Sequence, residues 1–267
     1  MSAGLPAPDP AGTCVVTGAS SGIGEALARK LASRGYGVSL VARREERLRA
    51  LAGELTAAHG VRAEVLACDL ADPVARATLP ARLEELGLRA DLLVNNAGFG
   101  GYGDFVELDP EREVEQVRLM CEAVVALCGA FAPTMAARRS GGVLILSSTT
   151  GFQPTARYAT YAAAKAFSLS FGQSLHAELR RSGVAVTTVC PGPVKTDFFS
   201  KNEVSPVRLP KPMWVTPEGV AQAALDGLAR NKRLVIPGTA VRGLMAASRM
   251  SPTGLQLRVM ELLVPRR

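Results

Sequence analysis

The chain has 267 residues, 48% hydrophobic and 21% charged, with 26 glycines, five cysteines and a formal charge of +7. That apolar content excludes a disordered chain, and glycine without a three-residue period excludes a collagen-like one. The cysteines (Cys14, Cys68, Cys121, Cys128 and Cys190) form no CxxC pair, so they read as reduced core thiols of a cytoplasmic protein with no metal site.

Met1–Pro10 carries no Lys or Arg and no apolar segment, so it does not read as a signal peptide; residues 1–11 are expected to be a disordered lead. Beyond it, β-branched runs predict strands at Cys14–Thr17, Val38–Ala42, Ala63–Ala67, Leu92–Asn95, Val143–Ser147, Val184–Val189 and Leu234–Ile236. Helical patterns lie between them, at Ile23–Ser33, Glu45–His59, Pro73–Leu86, Pro110–Ala137, Ala159–Arg181 and Pro217–Arg230. The longest uncharged stretch, Ala123–Ala137, is broken by Gly129 and Pro133 and falls short of the roughly 20 residues that span a bilayer, so it reads as a buried helix. No linker interrupts the alternation. Strands apolar on both faces, alternating with helices, predict one α/β domain over residues 12–237: a three-layer, doubly wound parallel sheet of about seven strands. Residues 238–267 leave the pattern as a helical C-terminal extension.

The first strand runs into Thr17-Gly18-Ala19-Ser20-Ser21-Gly22-Ile23-Gly24, after which a helix opens. Glycines let the backbone turn tightly and approach a pyrophosphate, whose charge is favoured at a helix N-terminus. Tyr161 and Lys165 stand four apart, on one face of a predicted helix, and Ser148 ends the fifth strand. Carbonyl reduction by hydride needs a proton delivered to a developing alkoxide. A phenol beside an ammonium and an oxidised nicotinamide would have its pKa lowered toward that task, while a serine holds the oxygen.

With this GxxxGxG spacing, the chain resembles the classical short-chain dehydrogenases/reductases over residues 12–240, and its pattern is similar to their DltE-like branch through Gly151-Phe152-Gln153-Pro154 and Cys190-Pro191-Gly192-Pro193. The resemblance implies a Rossmann fold with strand order 3-2-1-4-5-6 plus a seventh strand, and a homodimer or homotetramer. It implies that Asn95, Asn96, Ala97 and Gly98 support the sheet and line the cofactor, that Asp69 and Leu70 meet the adenine, and that Pro191, Gly192, Val194 and Thr196 hold the nicotinamide end. It also implies that Tyr161 is the acid/base, that Lys165 grips the nicotinamide ribose and that Ser148 orients the carbonyl. Tyr158, one turn before Tyr161, does not have the family's spacing to Lys165 and reads as a pocket or packing residue.

After the second strand comes Arg43-Arg44 rather than an acid, so a guanidinium at Arg43 would meet a 2′-phosphate and favour NADP(H) over NAD(H). One departure stands out. Where the family carries a proton-relaying asparagine, this chain has Met120, which cannot donate such a bond. Water, another polar group such as Gln116, or slower turnover would follow. That leaves a second reading, a dinucleotide-binding regulatory or scaffold protein.

Phe99, Tyr102 and Phe152, with Phe198, Phe199 and Trp214 in the long loop 196–214, are expected to wall an apolar aldehyde or ketone under a mobile lid. His59 and His176 read as structural. The charge is uneven: residues 1–227 hold 23 Lys/Arg and 23 Asp/Glu, whereas residues 228–267 hold eight basic residues against Glu261. No recognition helix, zinc pattern or RNA motif accompanies it, so no nucleic-acid partner is expected. A basic amphipathic tail fits packing on its own domain or on a sister subunit, lidding the pocket, or touching a membrane surface or partner.

Overall fold

In a computed structural model of the chain, residues 5–196, 213–248 and 251–264 are described. Seven strands form one sheet in the order β3-β2-β1-β4-β5-β6-β7, all pairs parallel: β1 Gly12–Thr17, β2 Val38–Ala42, β3 Ala63–Ala67, β4 Arg89–Asn95, β5 Gly142–Leu146, β6 Ala185–Val189 and β7 Leu234–Val235. This is the three-layer, doubly wound sheet expected from the alternation, in the Rossmann order that the resemblance implied.

Successive strand residues feed opposite faces of the sheet, because the side-chain period of a strand is two. Cys14, Val16, Leu92, Val94, Leu144 and Leu146 face one core, where helices α1 (Gly22–Ala32) and α2 (Glu45–His59) bring Leu27, Leu31, Leu48 and Leu55. Val15, Leu93, Val143 and Ile145 face the other. There α4 (Leu79–Glu85) supplies Leu79 and Leu83, and α6 (Ala123–Ala137) supplies Leu127, Phe131 and Met135. Burial on both faces is why these strands read as apolar runs without alternation.

Three helices begin with the same local device. Asp72 accepts from the Val74 amide at 2.8 Å ahead of α3 (Pro73–Ala77), Asp109 from the Glu111 amide at 3.0 Å ahead of α5 (Pro110–Val117), and Thr216 from the Gly219 amide at 3.1 Å ahead of α8 (Pro217–Ala229). Each cap is followed by proline, whose fixed φ suits the first helical position. The helix expected at Pro73–Leu86 is split at Thr78: Pro80, in the first turn of α4, has no amide to continue the α3 ladder. The helix expected at Pro110–Ala137 is continuous but carries a π-turn at Arg118–Glu122 between α5 and α6. Its 28 residues are long and apolar enough to cross a bilayer, yet one side of it packs on β4 and β5 as a layer of the fold.

Residues 5–11 of the expected disordered lead lie against the domain. The Tyr36 hydroxyl donates to the Pro6 carbonyl at 2.8 Å, and Asp9 pairs with Arg89 at 2.9 Å. At the other end, α9 (Thr239–Ser248) and α10 (Thr253–Leu263) fold back over the carboxyl ends of the strands.

Candidate active site

The strand order reverses between β1 and β4, and the loops leaving these two strands diverge to open a crevice at their carboxyl ends. The Thr17 hydroxyl holds the two strand ends together. It donates to the Val94 carbonyl at 2.9 Å and accepts from the amides of Asn96 and Ala97 at 2.9 and 3.0 Å. Asn96 completes the clasp by donating from its carboxamide to the Thr17 carbonyl at 2.8 Å. Asn95 turns away from the crevice and donates to the Cys128 sulfur at 3.3 Å.

A cleft of about 1020 Å³ occupies this crevice. One end is the glycine turn, where Gly18 sits at φ +65° and a Cβ on Gly24 would stand 2.3 Å from the Gly18 carbonyl oxygen. Only glycine permits that approach of turn to helix, so the backbone amides at the start of α1 stay open to a phosphate. Arg44 reaches over the turn and donates to the hydroxyls of Ser20 at 2.8 Å and Ser21 at 2.9 Å. Arg43 is 60% exposed and pairs with Glu115 at 3.0 Å and Asp69 at 3.7 Å. Both arginines line the cleft, with Asp69, Leu70, Ala97 and Gly98 beside them. The residues present therefore fit a dinucleotide, with two guanidiniums at its adenosine end.

The middle of the cleft holds Ser148, Tyr161 and Lys165. Ser148 leaves β5 in an extended conformation, accepts from the Thr150 amide at 3.2 Å and is hydrogen-bonded to Tyr161. Tyr161 lies in the first turn of α7 (Ala159–Leu179), and Lys165 stands one turn further along with its ammonium 5.6 Å from the Tyr161 ring centre. The Lys165 ammonium donates to the Leu146 carbonyl at 2.8 Å, and Ser147 donates to the Lys165 carbonyl at 2.7 Å, which locks α7 onto β5. Burial pulls Lys165 down to about 8. The expected lowering at Tyr161 is not seen in the protein alone: burial pushes its phenol up to about 12, and the Ser148 hydrogen bond acts weakly the other way.

At the far end the wall is apolar. Tyr158 sits between Tyr102 and Tyr161, tilted against the first and edge-on to the second with ring centres 5.4 and 6.2 Å apart, and Met260 and Val264 of the C-terminal segment pack on this cluster. Arg157 seats that segment by donating to the Val264 carbonyl, and Ser248 at the end of α9 donates to the Gln153 side chain. Val241, Met245 and Leu263 complete the wall.

Of the residues singled out in the sequence, Gly18, Ser20, Ser21, Gly22, Ile23, Arg43, Asp69, Leu70, Ala97, Gly98, Phe99, Ser148, Tyr161, Lys165, Gly192, Val194 and Thr196 line this cleft. Thr17, Gly24, Asn95 and Pro191 stand behind it as supports. Tyr102 and Phe152 are not lining residues: Tyr102 is buried behind Tyr158, and Phe152 is half-buried in the turn after β5. Trp214 also stays off the wall, where its neighbour Met213 appears instead. Phe198 and Phe199 lie outside the described residues, as does most of the loop 196–214. Sequence reasoning passed over Arg44, whose role depends on which way adjacent arginines turn; it offered the C-terminal tail as a lid on the pocket but did not assign the side chains of α9 and α10 to the wall.

Met120 is buried against Gly98, whose Cβ would stand 2.9 Å from the Met120 sulfur and 3.8 Å from the Lys165 nitrogen. Gln116 does not reach the cleft. It is fully buried beside Gly101, and its carboxamide makes no hydrogen bond to the described residues. His59 ends α2, and His176 on α7 bonds the Val186 carbonyl at 2.7 Å.

Fold, glycine turn and the Ser148–Tyr161–Lys165 group define an oxidoreductase that takes a nicotinamide dinucleotide. A family model described as short chain dehydrogenase matches residues 12–205, and the chain belongs to that family. A short-chain dehydrogenase from Sphingobium yanoikuyae in complex with NADPH is 35% identical, with a TM-score of 0.81 over 91% of this chain and 94% of that one. The bulky-bulky ketone specific alcohol dehydrogenase from Comamonas testosteroni is 31% identical, with a TM-score of 0.75 over 91% of this chain and 93% of that one. A very-long-chain 3-oxoacyl-CoA reductase of Anas platyrhynchos is 34% identical over 217 residues, 79% of this chain and 67% of its own length.

Proposed function

We propose that the protein reduces bulky, apolar ketones or aldehydes with NADPH, with Tyr161 as the proton donor. The observation that carries this reading is the placement of Tyr161: hydrogen-bonded to Ser148, between an arginine-braced glycine turn and an apolar wall. When bound, the dinucleotide supplies the hydride to the carbonyl carbon. Ser148 and Tyr161 hold the carbonyl oxygen, and as the C=O bond becomes C–O⁻ the Tyr161 O–H proton passes to it, giving the alcohol. Lys165, held by the Leu146 carbonyl, favours the phenolate left behind until solvent returns the proton.

Arg43 and Arg44 support the choice of NADPH, since planar guanidiniums pair with a 2′-phosphate and β2 is followed by two arginines rather than by an acid that would receive a ribose hydroxyl. The similarity to a short-chain dehydrogenase in complex with NADPH supports the same choice, and the similarity to a bulky-bulky ketone specific alcohol dehydrogenase and a very-long-chain 3-oxoacyl-CoA reductase supports a bulky apolar substrate. The test is a panel of small, bulky and long-chain carbonyls with each dinucleotide. The reading expects NADPH oxidation that favours bulky apolar substrates and is lost in Tyr161→Phe. Preference for small sugars, or turnover that survives Tyr161→Phe, overturns it.

A further inference from the structure

α10 is apolar on two sides. Met260, Leu263 and Val264 look inward at the tyrosine cluster and the cleft. Leu255, Val259 and Leu262, spaced four and three apart, share the other side and are 53%, 44% and 80% exposed. α9 shows the same split, with Val241 and Met245 buried and Leu244 half exposed at the rim of the cleft. Arg242 and Arg258 are exposed on the same two helices, and residues 238–267 carry five arginines against one glutamate. Residues 1–227 are charge-balanced, and Arg230, Lys232 and Arg233 supply the rest of the positive charge just before the two helices.

We propose that the outer face of α9 and α10 rests on an anionic lipid surface. Apolar side chains enter the boundary between headgroups and acyl chains, and the arginines meet lipid phosphates. The charge decides between this occupant and a second copy of the chain. A twofold interface would bring Arg242 and Arg258 of two copies together, at a cost in like-charge repulsion that an anionic surface turns into attraction. On the reading of the reaction given above, this docking sets the apolar end of the cleft at the membrane, where apolar carbonyl compounds concentrate. The docking itself does not depend on that reading, and its test measures no turnover.

The full chain is sedimented with vesicles of phosphatidylcholine alone and of phosphatidylcholine with phosphatidylglycerol. Binding to the anionic vesicles should be at least about tenfold tighter, and should weaken several-fold between about 0.1 and about 0.5 M sodium chloride as the charges are screened. Leu255→Glu/Leu262→Glu and, separately, Arg242→Glu/Arg258→Glu should abolish it. These are surface positions, and an unchanged thermal midpoint by circular dichroism shows that the variants are folded. The proposal falls if the native chain ignores anionic vesicles, or if both double variants bind them as the native chain does. It also falls if Leu255→Glu/Leu262→Glu splits an oligomer of a chain that binds no vesicle, because the face is then a subunit contact.

Discussion

Lys165 holds its proton in a site that disfavours charge, and this places a titration within reach of ordinary assays. Burial lowers its pKa to about 8, so the ammonium is present below that pH and lost above it, while the Tyr161 phenol, pushed up to about 12, stays protonated throughout. Reductive kcat/KM should therefore be flat on the acid side and fall tenfold per unit above about pH 8, a profile read directly from NADPH oxidation. Lys165→Met should lose about a hundredfold or more in rate. Arg44→Ala and Arg43→Ala should each raise the NADPH dissociation constant about tenfold, or about 1.4 kcal/mol, and leave that of NADH nearly unchanged; equal effects on both would remove the 2′-phosphate contact. Gln116 offers a stability test. Its buried carboxamide has no protein partner among the described residues, so Gln116→Met should raise the unfolding free energy by about 1 kcal/mol in urea titrations. A loss instead would reveal a buried water bonded there. At this scale the sequence disclosed the types and spacing of Ser148, Tyr161 and Lys165. It did not separate Arg43 from Arg44, because adjacent side chains of one type differ only in the direction they turn.

Helices α9 and α10 were the least legible elements. Their apolar and basic composition was plain, but the surface α10 covers comes from Tyr102 and Tyr158, more than 90 residues earlier, and no local period encodes that meeting. The π-turn at Arg118–Glu122 was also hidden, since one extra residue in a turn changes the facing of a helix without changing its composition. It delivers Met120 to Gly98, with the Met120 carbonyl accepting from Ser168 at 3.3 Å. If the inner face of α10 sizes the substrate end of the cleft, Leu263→Ala should raise KM for bulky apolar substrates by at least about tenfold, the low end of what one methylene in a pocket is worth. KM for small carbonyls and kcat should move little. A graded series of ketones tests this, and a uniform change across the series would place Leu263 outside the binding wall.

For the molecule as a whole, the alternation of apolar strands with helical patterns was enough to foresee a doubly wound sheet, because burial on both faces leaves a strong compositional mark. The split of α3 from α4 was missed because Pro80 falls inside an otherwise helical pattern. The sheet separates two cores that share strands but few side chains, so Leu27→Ala and Leu127→Ala should each cost about 2–5 kcal/mol and add when combined. The Thr17 clasp bears on time as well as on shape. Its hydroxyl joins groups 77 residues apart in the chain, and β1 cannot gain its β4 neighbour until a loop of that size has closed. Closing so long a loop is slow, and parallel pairing rewards it late. The crevice that receives the dinucleotide is thus built by the same late event that completes the middle of the sheet. A refolding chain should gain helical signal first and the ability to bind nucleotide last, with Thr17→Val delaying the second step far more than the first.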